Sequence, residues 1–195
     1  MSSSTKTPLL VLIGPTAVGK TSLSIEMAKR IKGEIISADS RLFYRGMDIG
    51  TAKPTVAEIN GVPHHMIDII DPDEPYSLGE YLKTVRRLIP EIFERGSLPM
   101  LVGGTGQYIK AVTEGWIVPE QEPDLVFRDY FNQLNEEKGY LQLHEILNRL
   151  DPAAAEKIDP PNVRRTIRAL EVVYRTGKRF SEQKSREKPP YTILQ

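Results

Sequence analysis

Residues 14 to 21 read GPTAVGKT and fill every fixed position of a G-x-x-x-x-G-K-[ST] loop. That loop works only where a buried strand ends and a helix begins, so it constrains the chain on both sides. The flanks comply. PLLVLI at 8–13 is a short continuous apolar run, as expected of a strand covered on both faces. A helix is predicted from Lys20 to Ile31, with Leu23, Met27 and Ile31 on its inner face. In such a loop the backbone N–H groups and the helix N-terminus point at an anion. Lys20 adds a point charge between phosphates, and the Thr21 hydroxyl is a ligand for Mg²⁺. The loop identifies phosphate as the ligand without saying whose phosphate it is.

The same strand–loop–helix rhythm continues. GEIISAD (33–39) predicts a second buried strand ending in an acid, and HMIDII (65–70) a third. Ser77 and Glu80 form a capping box for a long helix whose stripe is Leu78, Leu82, Val85, Ile89, Ile92 and Phe93, with a kink expected at Pro90 and a stop at Gly96. LPMLVGG (98–104) is another strand and loop, followed by a helix from Gly106 to Glu114. After Trp116 only helical patterns remain: 124–137, 140–150, one opened by Asp151 and Pro152, and one after Asn162 with Val163, Ile167, Leu170 and Tyr174 at helical spacing up to Gly177. The fold class is therefore α/β: a P-loop-type, mainly parallel sheet flanked by helices, with a small α-helical insertion domain. The expected division is 1–116 for the core, 117–185 for the helical insertion and 186–195 for a return to the core.

Composition narrows the partners. The chain has 195 residues, a formal net charge of +0 and no cysteine, which excludes disulfides and a thiolate zinc site. It contains no apolar run of membrane-spanning length and does not open with a secretory signal, so the expectation is a cytoplasmic protein without a membrane role. Charge is uneven, however. From Pro161 onward nine Lys or Arg face three acids, a local excess of +6. Arg164, Arg168 and Arg175 share one side of their helix, which is either a solvated face or a seat for a phosphate backbone.

Asp39 stands at the carboxyl end of the second strand, where ligands of open α/β sheets gather. Position alone leaves three roles open: general base, magnesium ligand, or cap of the turn that begins SRLFY. His64 and His65 are adjacent on a predicted strand and point to opposite faces, which argues against shared chelation of one metal.

Five segments occur in order: GPTAVGKT, ISADSRLFYRGMDIGTAKP (36–54), VPHHMIDIIDP (62–72), LVGGTGQYIKA (101–111) and NVRRTIRALEVVYRTGK (162–178). Together they make the chain resemble tRNA dimethylallyltransferases, also called tRNA isopentenyltransferases, over residues 8 to 185. The pair Leu42–Phe43 stands where many relatives carry Gln-Val. The resemblance implies that Gly14, Pro15, Thr16, Ala17, Val18, Gly19, Lys20 and Thr21 hold the pyrophosphate of dimethylallyl pyrophosphate, with Mg²⁺ on Thr21. It implies transfer of the dimethylallyl group to the exocyclic amine of the adenosine 3′ to the anticodon. Asp39 would be the general base, Lys20 would serve the leaving group, and Thr105 would contact the reacting groups. Ser40, Arg41 and Leu42 would line the flipped-out base, while Arg128, Asn162, Val163, Arg164 and Arg165 would touch the tRNA anticodon stem-loop. A monomer is expected.

The chemistry of the residues is compatible with that reading. An adenine amine is a poor nucleophile that becomes acidic only as its new C–N bond forms, and a carboxylate can then take the proton. Departure of pyrophosphate calls for cations and loop amides. A base in a paired stem is out of reach, so the acceptor must be a loop base that can be splayed out. Two rivals remain: an adenylate isopentenyltransferase acting on free nucleotide, and a P-loop kinase using ATP, for which Asp68 or Asp71 would be the acid after the third strand. PPYTILQ at 189–195 begins what reads as a return strand. From this the chain is expected to be a truncated form with apolar sheet surface exposed and little or no transferase activity.

Overall fold

The computed structural model describes residues 6–15, 18–51, 53–118, 123–183 and 186–195. The chain forms two compact units, Met1–Pro119 with Arg186–Gln195, and Glu120–Ser185.

The first unit is built on a five-stranded, all-parallel sheet in the order β3-β2-β4-β1-β5. Its strands are β1 (Thr7–Ile13), β2 (Gly33–Ser37), β3 (His64–His65), β4 (Leu98–Gly103) and β5 (Tyr191–Leu194). Strand alternation sorts side chains to two faces. Leu9, Val11, Ile36, Ala38 and Leu101 enter one core with Tyr81, Leu82, Val85, Ile89 and Ile92 of helix α3 (Leu78–Glu94) and Ile109, Ala111 and Val112 of α4 (Gly106–Thr113). Ile35, Met100 and Val102 face the other way, against Ile25 and Ala28 of α1 (Lys20–Ile31), with Leu10 and Leu12 beside them. Both faces are thus covered, as a parallel sheet requires. A short helix, α2 (Val56–Ile59), opens with a capping box between Thr55 and Glu58.

Several local expectations are refined. The predicted third strand shrinks to His64–His65, because Met66 and Asp68 adopt positive φ (63° and 53°) and turn the chain out of the pleat. Ile70 then returns alone to bridge Tyr44. On α1 the buried residues are Ser24, Ile25 and Ala28, while Leu23 and Ile31 are exposed. Small residues let this helix approach the sheet closely, and the Ser24 hydroxyl is satisfied by Thr21 O at 2.8 Å. The capping box of Ser77 and Glu80 is present at the start of α3, which runs as one helix through Pro90.

One contact closes the first unit at its seam. Trp116 and Arg186 form an antiparallel bridge, and Glu187 N donates to Gly115 O at 2.9 Å. Gly115 has φ +64°, and a Cβ there would lie 1.9 Å from Glu187 O, so only glycine fits. The Trp116 indole N–H donates to Glu114 at 2.8 Å, and the Arg186 guanidinium lies 5.6 Å from the ring centroid.

The second unit is helical: α5 (Leu125–Lys138), α6 (Tyr140–Leu150), α7 (Pro152–Lys157) and α8 (Val163–Thr176). Leu143 and Leu147, one turn apart on α6, pack with Ala154, Ala155, Ile158, Ile167 and Leu170. Tyr174, expected in this stripe, is exposed instead and lies beside Phe127. Asp151 is buried and binds three donors, Ala154 N (3.1 Å), Ser181 N (2.8 Å) and the Ser181 hydroxyl (2.6 Å). Among the described residues, no helix is long and apolar enough to cross a membrane.

Candidate functional site

The order β2-β4-β1 brings three loops together at the carboxyl edge of the sheet. The phosphate loop leaves β1, Asp39 follows β2, and Gly103-Gly104-Thr105 leaves β4 between them. The join is tight. Ala38 N donates to Val102 O at 2.7 Å and Thr105 N to Ala38 O at 3.2 Å. A Cβ on Gly103 would meet the Ala38 carbonyl at 2.5 Å, and one on Gly104 would lie 3.3 Å from Gly14 O. Glycine at 103 is therefore a requirement of close approach.

A cavity of about 680 Å³ opens here, lined by Gly19, Lys20 and Thr21 on one side and Asp39, Leu42 and Lys53 on the other. Lys20 curls back so that its ammonium donates to Pro15 O. Asp39 is the N-cap of a 3-10 turn over Ser40–Phe43. Its Oδ1 accepts from Arg41 N at 3.2 Å, with Arg41 Nε at 3.5 Å, and its side chain is 18% exposed. Capping and facing the cavity are thus both properties of this one carboxylate. The Thr105 hydroxyl accepts from Ser40 N at 3.4 Å, which links the β4 loop to the turn that carries Asp39. Phe43 points inward, into an aromatic cluster with Tyr76, Tyr81 and Tyr108, and leaves Leu42 to the cavity.

The structure thus gathers Gly19, Lys20, Thr21, Asp39 and Leu42 around one space, with Ser40, Arg41 and Thr105 bonded into the same turn. Gly14, Pro15 and Val18 lie on the loop itself, whereas Thr16 and Ala17 fall outside the described residues. The acids considered for a kinase are engaged elsewhere. Asp68 binds Lys53 at 2.5 Å and Asp71 binds Arg45 at 3.1 Å. His65 bonds Glu34 at 2.8 Å, and His64 Nδ1 lies 2.8 Å from Val62 O. Burial lowers the pKa of His64.

Lys53 was assigned no role from the sequence, although it lies inside the quoted MDIGTAKP. Only 6% of its side chain is exposed, and its ammonium reaches Asp48 at 2.6 Å, Asp68 at 2.5 Å and Tyr44 O at 3.0 Å. Burial opposes its charge, but the two carboxylates outweigh that and raise its pKa. The signal was an acid–lysine spacing whose second carboxylate, Asp68, is fifteen residues away and invisible without the fold.

In the helical unit, the Asn162 side chain caps α8 by accepting from Arg165 N at 3.2 Å. Val163 packs on the helical core, and Arg164 and Arg165 are exposed. Arg128 is held by Glu171, with Nη2 at 2.9 Å and Nε at 3.2 Å, and Arg168 joins the same carboxylate at 2.6 Å. Burial disfavours the charge on Glu171, but these bonds and one from Asp124 N prevail and hold its pKa at about 2.

With the geometry described, comparison with known proteins places the chain. The profile described as IPP transferase matches residues 42–195, and the one described as isopentenyl transferase matches residues 7–70. A tRNA dimethylallyltransferase of Roseiflexus sp. (strain RS-1) is 54% identical over 184 residues, which are 94% of this chain and 60% of that protein. The tRNA dimethylallyltransferase of Bacillus subtilis (strain 168) is 50% identical over 95% of this chain and 59% of its own length. Among solved structures, a tRNA isopentenylpyrophosphate transferase from Bacillus halodurans aligns with TM-score 0.59 at 44% identity, covering 97% of this chain and 58% of that one. A eukaryotic dimethylallyltransferase acting on tRNA aligns with TM-score 0.80 at 30% identity, covering 96% and 47%. The chain thus spans about 60% of the length of the curated relatives it matches.

Proposed function

Since the chain belongs to the IPP transferase family, we propose that it carries the donor and acceptor-base sites of a tRNA dimethylallyltransferase, which moves a dimethylallyl group from its pyrophosphate to an adenosine amine beside the anticodon. The observation that carries this reading is a single cavity lined both by Gly19, Lys20 and Thr21 of the glycine loop and by Asp39.

In this reading the loop amides and Lys20 bind the pyrophosphate. Their charge acts where negative charge grows, on the departing group, and so favours the transition state over the ground state. The adenine amine attacks the allylic carbon, the C–O bond to pyrophosphate breaks, and Asp39 accepts the proton that the amine sheds. Leu42 supplies an apolar surface for the base, and Thr105 keeps the Ser40 backbone in register with the turn. Arg164 and Arg165, exposed on α8, supply phosphate contacts, with Asn162 and Val163 at the same helix start. Arg128 contributes from its seat on Glu171.

Among the described residues no three His, Asp or Glu side chains gather to hold an ion. The cavity does present the Thr21 hydroxyl beside the loop. That donor set fits Mg²⁺, which takes few protein oxygens and completes its shell with water and substrate phosphate. Thr21 would hold it, and the ion when bound would neutralise charge on the leaving group.

The test is to incubate the protein with radiolabelled dimethylallyl pyrophosphate and, separately, tRNA, AMP and ATP. Because this chain is expected to turn over slowly, the protein is used in excess over the labelled donor, and label is expected on tRNA alone. Label on AMP instead, or phosphate transfer from ATP without prenyl transfer, would replace this reading with one of its rivals.

A further inference from the structure

Lys53 lies in the cavity wall, yet its chemistry is already spent. An ammonium has three N–H donors, and those of Lys53 meet three acceptors: Asp48 at 2.6 Å, Asp68 at 2.5 Å and Tyr44 O at 3.0 Å. The knot carries two carboxylates against one cation, so its residual charge is negative and ill suited to a phosphate. What the knot does hold is the turn beside Asp39. Asp68 N donates to Leu42 O at 3.0 Å, and Ile69 N and Ile70 N donate to Phe43 O at 2.8 and 3.1 Å. Asp68 makes its bond from a left-handed conformation, φ 53°, which aspartate tolerates better than most side chains. Arg45 braces the same loop through Asp68 O and Ile69 O, each at 3.1 Å. On the other side of the knot, Asp48 O accepts from the buried Thr51 hydroxyl at 3.2 Å.

We propose that Lys53 is a positioning residue for the acceptor base: by tying Asp48, Asp68 and Tyr44 together it sets the Asp39–Leu42 turn against the cavity, and it does not bind the donor's phosphates. The proposal rests on the reading of the cavity given above, and its test separates the two. Because the chain has no cysteine, Lys53→Cys can be aminoethylated in the denatured protein and refolded, which restores an ammonium at that site alone. Two probes are used on the parent, Lys53→Met, Lys53→Cys and aminoethylated proteins. The first is Mg²⁺-pyrophosphate, followed by calorimetry. The second is an anticodon stem-loop RNA with 2-aminopurine at the acceptor position, whose fluorescence rises when the base leaves the stack.

In Lys53→Met the pyrophosphate Kd is expected to stay within about threefold, the fluorescence rise to fall by more than half, and aminoethylation of Lys53→Cys to recover it. A pyrophosphate Kd weakened tenfold would make Lys53 a donor ligand and overturn the proposal. So would a fluorescence rise equal to the parent's. If the parent itself gives no rise, the acceptor reading of the cavity has failed, and amide exchange then decides on Lys53. Exchange at Asp68, Ile69 and Ile70 at least tenfold faster in Lys53→Met and slowed again by aminoethylation upholds the positioning role, and unchanged exchange removes it. Should Lys53→Met fail to fold, Asp48→Asn loosens the same knot from its exposed partner and is judged by the same readouts.

Discussion

At the scale of the residue, Asp39 combines two duties that position alone could not separate. As cap it holds Arg41 N, and as a cavity group it faces the phosphate loop. Asn at 39 keeps an oxygen for the cap but loses the proton acceptor. Asp39→Asn is therefore expected to lower kcat by about 10²-fold or more with little change in tRNA affinity. Single-turnover kinetics beside filter binding would check this, and collapse of tRNA binding with normal turnover would make Asp39 a structural cap or a recognition residue. Lys20→Ala removes a charge from the leaving-group side, so it should weaken donor binding and slow transfer together. Turnover equal to the parent's at both saturating and subsaturating donor would take the loop out of the mechanism. The cavity residues given a chemical role were legible because local sequence fixes them: Gly19, Lys20 and Thr21 by the loop, Asp39 by its place at a strand end. Lys53 was not, since its meaning depends on Asp68 and on a backbone carbonyl that only the folded chain brings within reach.

At the scale of the element, α8 separates what charge counting had merged. Arg164, Arg168 and Arg175 share a side of the helix in sequence, but Arg168 turns to the buried Glu171 while Arg164 is exposed. If Arg164 and Arg165 meet RNA phosphates, replacing either with Ala should weaken all tRNAs alike and reduce the slope of log K against log salt by about one unit. Binding titrations at several salt concentrations measure it, and an unchanged slope would mark a solvated face. Some helix ends were readable, because caps are local: Ser77 with Glu80 and Asp151 with Pro152 perform as their chemistry dictates, whereas the capping box of Thr55 and Glu58 that opens α2 was not read from the sequence. Helix faces and strand lengths were less so. The inner face of α1 is chosen by how closely small residues let it approach the sheet, and β3 is cut short by two positive-φ residues that carry no glycine to announce them.

At the scale of the whole molecule, each unit contains one buried carboxylate held by arginine. Glu34 accepts from Arg95 Nε at 2.8 Å and from His65 at 2.8 Å, and these partners, Arg95 first, hold its pKa at about 2 against burial. Glu171 is held at about 2 in the helical unit. Both values are depressed from 4.5, so the folded state binds fewer protons than the unfolded one in acid. Their contribution is complete above pH 4.5 and is lost as pH falls towards 2. Thermal melts should thus change little through these two groups from neutral pH to about 5, then fall steeply. Glu171→Gln, which unpairs two arginines, should lower stability even at neutral pH, by about 3 kcal/mol, and flatten the acid limb. A variant with an unaltered acid limb would show that Glu171 is no anchor. The seam of the first unit offers an optical consequence. The chain's single tryptophan, Trp116, sits there with a carboxylate on its indole N–H and a guanidinium near its ring. Light absorbed selectively by indole is therefore emitted from one joint, where residues 114–116 meet 186–187. Any ligand or denaturant that parts those strands will shift the emission colour, so the protein carries its own built-in reporter of whether the seam is closed.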